Sequence, residues 1–462
     1  MKQRLFALGV SLFRRNPGLK ERARPLFRRL IDRHANSRVR WTVRRVYSKS
    51  RFYRDLMRRS GLAHRDIRGV EDLGKLPLTS PSDLSADPYA FLCVPFDEVG
   101  AVYTTAGTTG DPKMVFFTRD EIDRAIELGG TMMRAGGLGP GFGPGKPVQI
   151  MFAYGRPSWG AGYVSQRMVE RAGGLPIPAS NSLEPEEQLS LMEKFRPVAI
   201  LGTTSYVFRV TEELVQRGVD LRQFGVHTIA LGAEAWPESV REYLEEKWGA
   251  TVVDQYGLTE ATFAVAAECR EQDGLHVNEI DLYVEIVDPE TGERVAPGEE
   301  GEIVFTTLSR RAMPLVRYRT GDVAAMIPGE CGCGSPTVRI TRIRGRTDDM
   351  FTLGTGENMY PSFFDEALLG IPGVVDYQIV LSGENMRDSI LVRVEASSPS
   401  EDLRREIREA VLGVRSIRHD FEVSKAISSV EVEFVGSGEI SQASGEEIKR
   451  RRVVDLRGRY PT

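Results

Sequence analysis

The sequence predicts an α/β protein: a mostly parallel sheet covered by helices, then a β-rich region, then a small α+β unit at the C-terminal end. Three observations predict it. From Glu121 to Gln255, amphipathic helical stretches alternate with short apolar runs, the pattern of parallel strands joined by crossover helices. From about Leu282 the helical stretches stop, and short strands separated by turns take over. After Arg346 a new mixture of helix and strand begins and runs for about 115 residues.

Taken in order, residues 18–60 place Leu26, Leu30, Val39, Val43 and Tyr47 at three-to-four spacing, which predicts helices. Strand-like runs at 99–103 and 114–117 flank a loop rich in glycine and threonine. Helices are expected at 121–136, 166–171, 189–195, 206–217 and 238–248, and strands at 147–153, 175–177, 198–202, 228–232 and 251–255. Strands at 283–287, 302–307, 316–318 and 323–327 make up the β-rich region. Beyond it come a helix ending at 366–370, strands at 375–381 and 390–395, a helix at 402–412 and a strand at 430–434. The expected division is a basic helical arm (1–60), a core (61–347) and a C-terminal domain (348–462).

A net charge of −4 over 462 residues with 27% charged residues describes an ordinary globular chain. The charge is uneven, however: residues 1–60 hold 19 Lys and Arg against the three acids Glu21, Asp32 and Asp55. Such an arm attracts nucleic acid, an anionic membrane or an acidic protein, or else solvates outer helices whose arginines pair with the acidic body. The last reading is the expectation, and no aromatic-plus-basic module for nucleic acid is visible. Leu5 to Phe13 is a nine-residue apolar run, too short to span a bilayer, and Arg14 and Arg15 stand where a cleavage site would need small residues. No transmembrane segment is expected, and a cytoplasmic location is. Four cysteines are too few for a disulfide scaffold in a chain this long.

Four motifs carry chemistry. In Thr104-Thr-Ala-Gly-Thr-Thr-Gly-Asp-Pro-Lys113, two glycines let the backbone approach an anion, threonine hydroxyls and N–H groups can cradle phosphate oxygens, and Lys113 adds a point charge. Read alone, it fits a phosphate cradle or a solvated hairpin turn; it is not a Walker loop. Asp254-Gln-Tyr-Gly-Leu-Thr-Glu260 ends a strand, where open α/β sheets bind ligands: Tyr256 can stack on a base and Glu260 can hold magnesium. Asp322, in Tyr318-Arg-Thr-Gly-Asp, either accepts from two vicinal hydroxyls or caps a turn. Arg344-Gly-Arg-Thr-Asp-Asp-Met350, followed by Gly354-Thr-Gly-Glu-Asn-Met-Tyr-Pro361, lies where the fold restarts and reads as a hinge. Separately, Cys269, His276, Cys331 and Cys333 match the donor set of a closed, structural zinc site; the other reading is free buried cysteines.

These segments, in this order, resemble the adenylate-forming superfamily of acyl-CoA synthetases, and within it the phenylacetate–CoA ligase-like branch. The resemblance covers roughly residues 90–460 and implies a large adenylating domain with a small mobile lid. It implies a two-step reaction: a carboxylate and ATP give an acyl-adenylate and pyrophosphate, and a thiol, usually that of coenzyme A, then takes the acyl group. By position, Thr104, Thr105, Gly107, Thr108, Thr109, Gly110 and Lys113 would hold the leaving phosphates, and Glu260 magnesium. Gly232, Ala233 and Glu234 would lie beside the adenine with Gln255, Tyr256, Gly257 and Thr259; Asp322 and Arg346 would hold the ribose. Asp348 would be the hinge and Gly356 would line the coenzyme A tunnel. Lys449 aligns with the adenylation lysine, although Ile448 stands where that motif has glycine. The branch carries a cysteine and histidine set similar to this one.

Tyr154, Gly155, Tyr206 and Trp236 are expected around the acyl group, with flat walls that suit an aromatic acid. Two other function classes remain: an adenylating enzyme that passes its acyl group to a carrier-protein thiol or an amine, with the basic arm docking an acidic carrier, and a non-catalytic nucleotide binder. Intact Lys113, Glu260, Asp322 and Lys449 speak against the last.

Overall fold

The computed structural model describes residues 17–105, 113–134, 138–139, 141–154, 160–347, 350–353, 357–384, 387–436, 438–440 and 452–457. Helix α1 (Pro17–Lys49) and helix α2 (Arg51–Arg59) form the arm, joined at Ser50, whose side chain accepts from the Tyr53 N–H and caps α2. The buried face of the arm carries Val39, Val43, Val46, Tyr53 and Met57. Strands β1 (Ala101–Thr104) and β2 (Met114–Phe117) are an antiparallel hairpin, as expected from the two apolar runs.

Helix α3 (Arg119–Met132) starts on a capping box in which Thr118 and Glu121 bond reciprocally. Then follow β3 (Pro147–Met151), α4 (Ala161–Ala172), β4 (Leu175–Pro178), α5 (Pro185–Phe195), β5 (Ala199–Thr203), α6 (Thr204–Gln216), β6 (Thr228–Gly232), α7 (Glu238–Trp248) and β7 (Thr251–Tyr256). Strands β3 to β7 are parallel, and β5 and β6 are buried along their whole length, which is why they read as continuous apolar runs.

The β-rich region is not a separate sheet. Strands β8 (Ala266–Glu268), β9 (Leu275–Val277), β10 (Leu282–Val287), β11 (Glu300–Thr307), β12 (Tyr318–Ile327), β13 (Arg339–Ile340) and β14 (Gly345–Arg346) extend the parallel part into one twelve-stranded mixed sheet. The two strands expected around Tyr318 and Val323 are one, β12, with a bulge opposite Ile303 where Gly321 takes φ +77°. Asp322 therefore sits inside a strand rather than capping a turn, directly opposite Arg346.

The C-terminal unit has a two-stranded ribbon, β15 (Phe351–Leu353) with β16 (Glu357–Met359), then α8 (Ser362–Leu368) and a four-stranded sheet. That sheet is built from β17 (Val374–Glu384), β18 (Arg387–Ala396), β19 (Ile427–Val435) and β20 (Val453–Asp455), covered by α9 (Glu401–Gly413) and α10 (Arg415–Glu422). One apolar cluster runs from Val240, Leu244 and Trp248 of α7 into Phe364, Leu368 and Val374 of this unit. Arg344 adds ion pairs to Glu300 at 3.3 Å and Glu366 at 3.8 Å.

Candidate active site

The carboxyl ends of β3, β5, β6 and β7 lie along one edge of the sheet, so the loops that follow them converge there. A cavity of about 360 Å³ opens at this edge. Its lining includes Gly232, Ala233, Gln255, Tyr256, Gly257 and Thr259, which end or follow β6 and β7. Leu128, Met132, Met133, Phe152, Val164 and Met168 line another part, and the cavity also reaches His276 and Cys333.

The polar end is tightly bonded. Tyr256 donates its hydroxyl to Asp322 Oδ2 at 2.5 Å, and Arg346 Nη1 lies 3.0 Å from Asp322 Oδ1. Burial, followed by the Asp322 carboxylate beside it, pushes the Tyr256 hydroxyl far above the ordinary tyrosine range, so it remains a donor. Glu260 receives a hydrogen bond from Tyr318 at 3.2 Å and lies 3.5 Å from Lys113 Nζ. Gly257 has a steric reason to be glycine: a Cβ there would overlap the Phe263 carbonyl oxygen. Ala233 holds φ +73°, a left-handed conformation uncommon for a side chain-bearing residue and concentrated at ligand sites. Glu234 is engaged by Ser205, which donates to it from its N–H at 2.8 Å and its hydroxyl at 2.9 Å.

At the hairpin neck, Thr105 and Lys113 face each other: the Thr105 N–H donates to the Lys113 carbonyl at 3.1 Å, and the Lys113 N–H to Thr105 Oγ1 at 3.3 Å. Thr104 pairs with Met114. Gly107, Thr108, Thr109, Gly110, Gly155, Asp348, Gly356 and Lys449 lie outside the described residues. Beyond Lys449, half-buried Arg452 pairs with Asp365 and Asp376 and stacks 4.6 Å over the Tyr377 ring.

Three expected acyl walls, Tyr154, Tyr206 and Trp236, do not line this cavity. Tyr206 turns its hydroxyl into the core, donating to the Leu183 carbonyl at 2.6 Å and accepting from Gln188 at 2.7 Å. Trp236 donates to Asp254 at 3.2 Å, with the Arg342 guanidinium 3.7 Å over its ring. Both polar tips find partners inside the protein, which is how an aromatic with a polar handle packs a core. Tyr154 packs against Gly162 and its hydroxyl is buried. The apolar walls come instead from α3 and α4, where Gly129 brings the helices together: a Cβ there would overlap Met168.

Sequence reasoning also missed Arg310. It is fully buried, donates to the Phe116 and Ala261 carbonyls at 2.7 Å each, pairs with Glu121 at 3.2 Å and lies 3.7 Å over the Phe117 ring. It thus ties the strand after the glycine–threonine loop to the turn carrying Glu260. Removing one partner of such a buried pair costs about 3–5 kcal/mol. Its only signal in the sequence was a second arginine beside Arg311.

The four zinc candidates come together: one ligand atom from each of Cys269, His276, Cys331 and Cys333 lies within 4.8 Å of all the others. Cys269 Sγ and Cys331 Sγ are 3.6 Å apart, and Cys333 Sγ is 3.3 Å from His276 Nε2. Thiolates bound to one tetrahedral zinc at about 2.3 Å stand about 3.8 Å from each other. The other ring nitrogen of His276 meets Thr337 Oγ1 at 3.0 Å, which orients the ring.

Comparison with known proteins agrees with this geometry. Residues 63–309 match the AMP-binding enzyme family and residues 356–457 the AMP-binding enzyme C-terminal domain. The chain is 34% identical over 435 residues to the phenylacetate–coenzyme A ligase of Thermus thermophilus, covering 91% of this chain and 95% of the relative. It is similar to 2-hydroxyisobutyryl-CoA ligase in its postadenylation state with 2-HIB-AMP, at 26% identity and a TM-score of 0.79, covering 92% and 89% of the two chains. The same ligase in its thioesterification state, with 2-HIB-AMP and CoA, gives a TM-score of 0.64 at 27% identity over 92% and 90% of the chains, so the arrangement here is nearer the former. From sequence, fold and site together, the chain belongs to the AMP-binding enzyme family.

Proposed function

We propose that the protein joins a carboxylic acid to coenzyme A in two half-reactions at one site. A carboxylate oxygen attacks the α-phosphorus of ATP and pyrophosphate leaves; the coenzyme A sulfur then attacks the acyl carbon and AMP leaves. The carrying observation is the cavity itself. Its lining includes Tyr256, bonded to Asp322 and through it to Arg346, and a group of apolar side chains, Leu128, Met132, Met133, Phe152, Val164 and Met168. That arrangement offers a nucleotide its hydrogen bonds and an acyl group its space.

In this reading Tyr256 flanks the adenine, beside Gly232, Ala233, Glu234, Gln255, Gly257 and Thr259. Asp322 and Arg346 take the ribose hydroxyls. Lys113, with Thr104, Thr105 and the loop glycines and threonines, neutralises the departing phosphates, which is most of what phosphoryl transfer asks of a protein. Glu260, a hard carboxylate facing Lys113, is the group to hold magnesium, which when bound supplies charge neutralisation to phosphate oxygens. Lys449 brings a cation to the α-phosphate from the lid, taken as residues 348–462, with Asp348 as its hinge and Gly356 on the path of the thiol. Leu128, Met132, Met133, Phe152, Val164 and Met168 receive the acyl group. Their polarizable sulfurs and the Phe152 ring suit an aromatic acid, which the phenylacetate–CoA ligase resemblance also supports. Cys269, His276, Cys331 and Cys333 hold a structural zinc, and elemental analysis should find about one per chain.

The test is pyrophosphate release over a panel of aryl and alkyl acids, with and without coenzyme A. Acid-dependent release followed by acyl-CoA formation is expected. Acid-dependent turnover indifferent to coenzyme A would overturn the acceptor, and an absence of acid-dependent release would overturn the adenylation.

A further inference from the structure

The cavity is longer than a site at the end of a sheet needs to be. Ligands of open α/β sheets bind outside the carboxyl ends of the strands, and Gly232 and Gln255 line the cavity there. Thr228 and Thr251 line it too, and they are the first residues of β6 and β7. Along β7 the lining residues are Thr251, Val253 and Gln255, every second position, so one face of the strand borders the hollow from its first residue to its fifth. Four steps of strand rise about 13 Å.

The opposite wall has a similar length. Ala125, Leu128, Gly129 and Met132 recur at three-to-four spacing on α3, and Ala161, Val164, Ser165 and Met168 do so on α4. Each set covers seven steps of helix, about 10 Å. Helix α4 leaves the carboxyl edge after β3 and crosses back to begin β4, parallel to β3, so Ala161 lies toward the nucleotide residues and Met168 toward the amino ends of the strands.

A hollow persists because both surfaces are held back from it. Glycines let the two helices lean on each other: a Cβ on Gly129 would overlap Met168, and one on Gly130 would lie 2.9 Å from the Arg171 Cβ. On the sheet, the middle of the facing surface is small, with Ala230 and Val253. The far end is closed. Leu138 and Thr228 are buried, and Gly139 passes so close that a Cβ on it would come within 2.3 Å of Thr228 Oγ1.

The adenylation reading, on which this inference rests, puts the carboxylate beside the nucleotide residues, so the rest of the acyl group lies along β7 toward Thr251. An acid with one ring on its α-carbon spans less than half of that path, at about 1.5 Å per bond. We propose that the cavity is a closed channel for an elongated acid, a ring extended on its far side by an apolar tail of about five carbon atoms, with Val253 beside its midpoint and Leu138, Thr228 and Thr251 setting its length limit.

Acid-dependent pyrophosphate release over phenylacetic acid and its para-alkyl derivatives, from methyl to octyl, tests this. The kcat/KM should rise about fourfold per added methylene, the worth of burying one CH2, reach a maximum near about five carbons and fall steeply beyond it. Val253→Phe sets a ring midway along the channel and should return the maximum to the unsubstituted acid. The wild-type series reads the length limit even if that variant fails to fold. A wild-type maximum at phenylacetic acid itself, a rate indifferent to tail length through octyl, or a Val253→Phe profile that keeps the wild-type maximum would each overturn the channel while leaving the adenylation reading intact. No release with any acid would overturn both.

Discussion

The two ends of the cavity are built on opposite principles. The end proposed above for the nucleotide is backed by polar groups that already hold one another: Tyr256 on Asp322, Asp322 on Arg346, Tyr318 on Glu260, Glu260 beside Lys113. The part proposed for the acyl group is lined by Leu128, Met132, Met133, Phe152, Val164 and Met168, apolar side chains from two helices and the end of one strand. A preorganised polar site costs little reorganisation on binding and tolerates little change. Apolar walls recognise by volume, so each contact is worth only about 1–3 kcal/mol and one wall can be exchanged.

That contrast can be sharpened from the largest effect downward. Lys449→Ala should lower acid-dependent ATP–pyrophosphate exchange by about three powers of ten, the usual scale for a charge placed at a developing anion; wild-type exchange would remove Lys449 from the chemistry. Asp322→Ala should raise the KM for ATP about a hundredfold and leave that for the acid nearly unchanged, because Arg346 and Tyr256 lose a charged acceptor worth about 3 kcal/mol. Met168→Ala should do the reverse, shifting the preference toward bulkier acids about tenfold with the KM for ATP unmoved. If Met168→Ala changed ATP binding instead, the division of the cavity into two ends would be wrong.

The smallest effect concerns Asp254, behind the nucleotide loop. Burial pushes its carboxyl up to about 6, although Arg342 at 3.3 Å and Trp236 favour the charged form. An unfolded aspartate titrates near 4, so between about pH 4 and pH 6 the folded chain binds more protons than the unfolded chain and this group makes stability fall as pH rises. Asp254→Asn removes that contribution. Denaturant midpoints measured across the interval should decline less steeply in the variant than in the wild type.

The same contrast explains what was legible. Motifs at the nucleotide end were readable because each combines a turn, a glycine and a specific polar residue within a few positions of one another. Even there the tertiary structure altered details: Asp322 lies in a strand opposite Arg346, and Glu234 is bonded to Ser205. The acyl end was not readable. Met132, Met133 and Met168 sit on helices at the spacing of any core-facing stripe, and nothing local separates a side chain that fills a core from one that lines a hollow. Tyr206 and Trp236 stand outside the cavity lining for the converse reason, their polar tips being satisfied by Gln188, Leu183 and Asp254 from other elements.

By itself the sequence determined the alternation of helix and strand, the parallel core, the separate C-terminal unit and the order of the motifs, because periodicity, turn chemistry and composition are local properties. Only the tertiary structure decided that the β-rich strands continue the parallel sheet, that Cys269 and His276 meet Cys331 and Cys333, and that Arg310 joins the phosphate hairpin to the Glu260 turn. It also decided which arginines of the arm are bound, as Arg28 is to Glu279 and Arg24 to Glu330. Each of these depends on the register of strands and the packing of faces far apart in the chain, where the partner of a residue is set by the whole fold rather than by its neighbours.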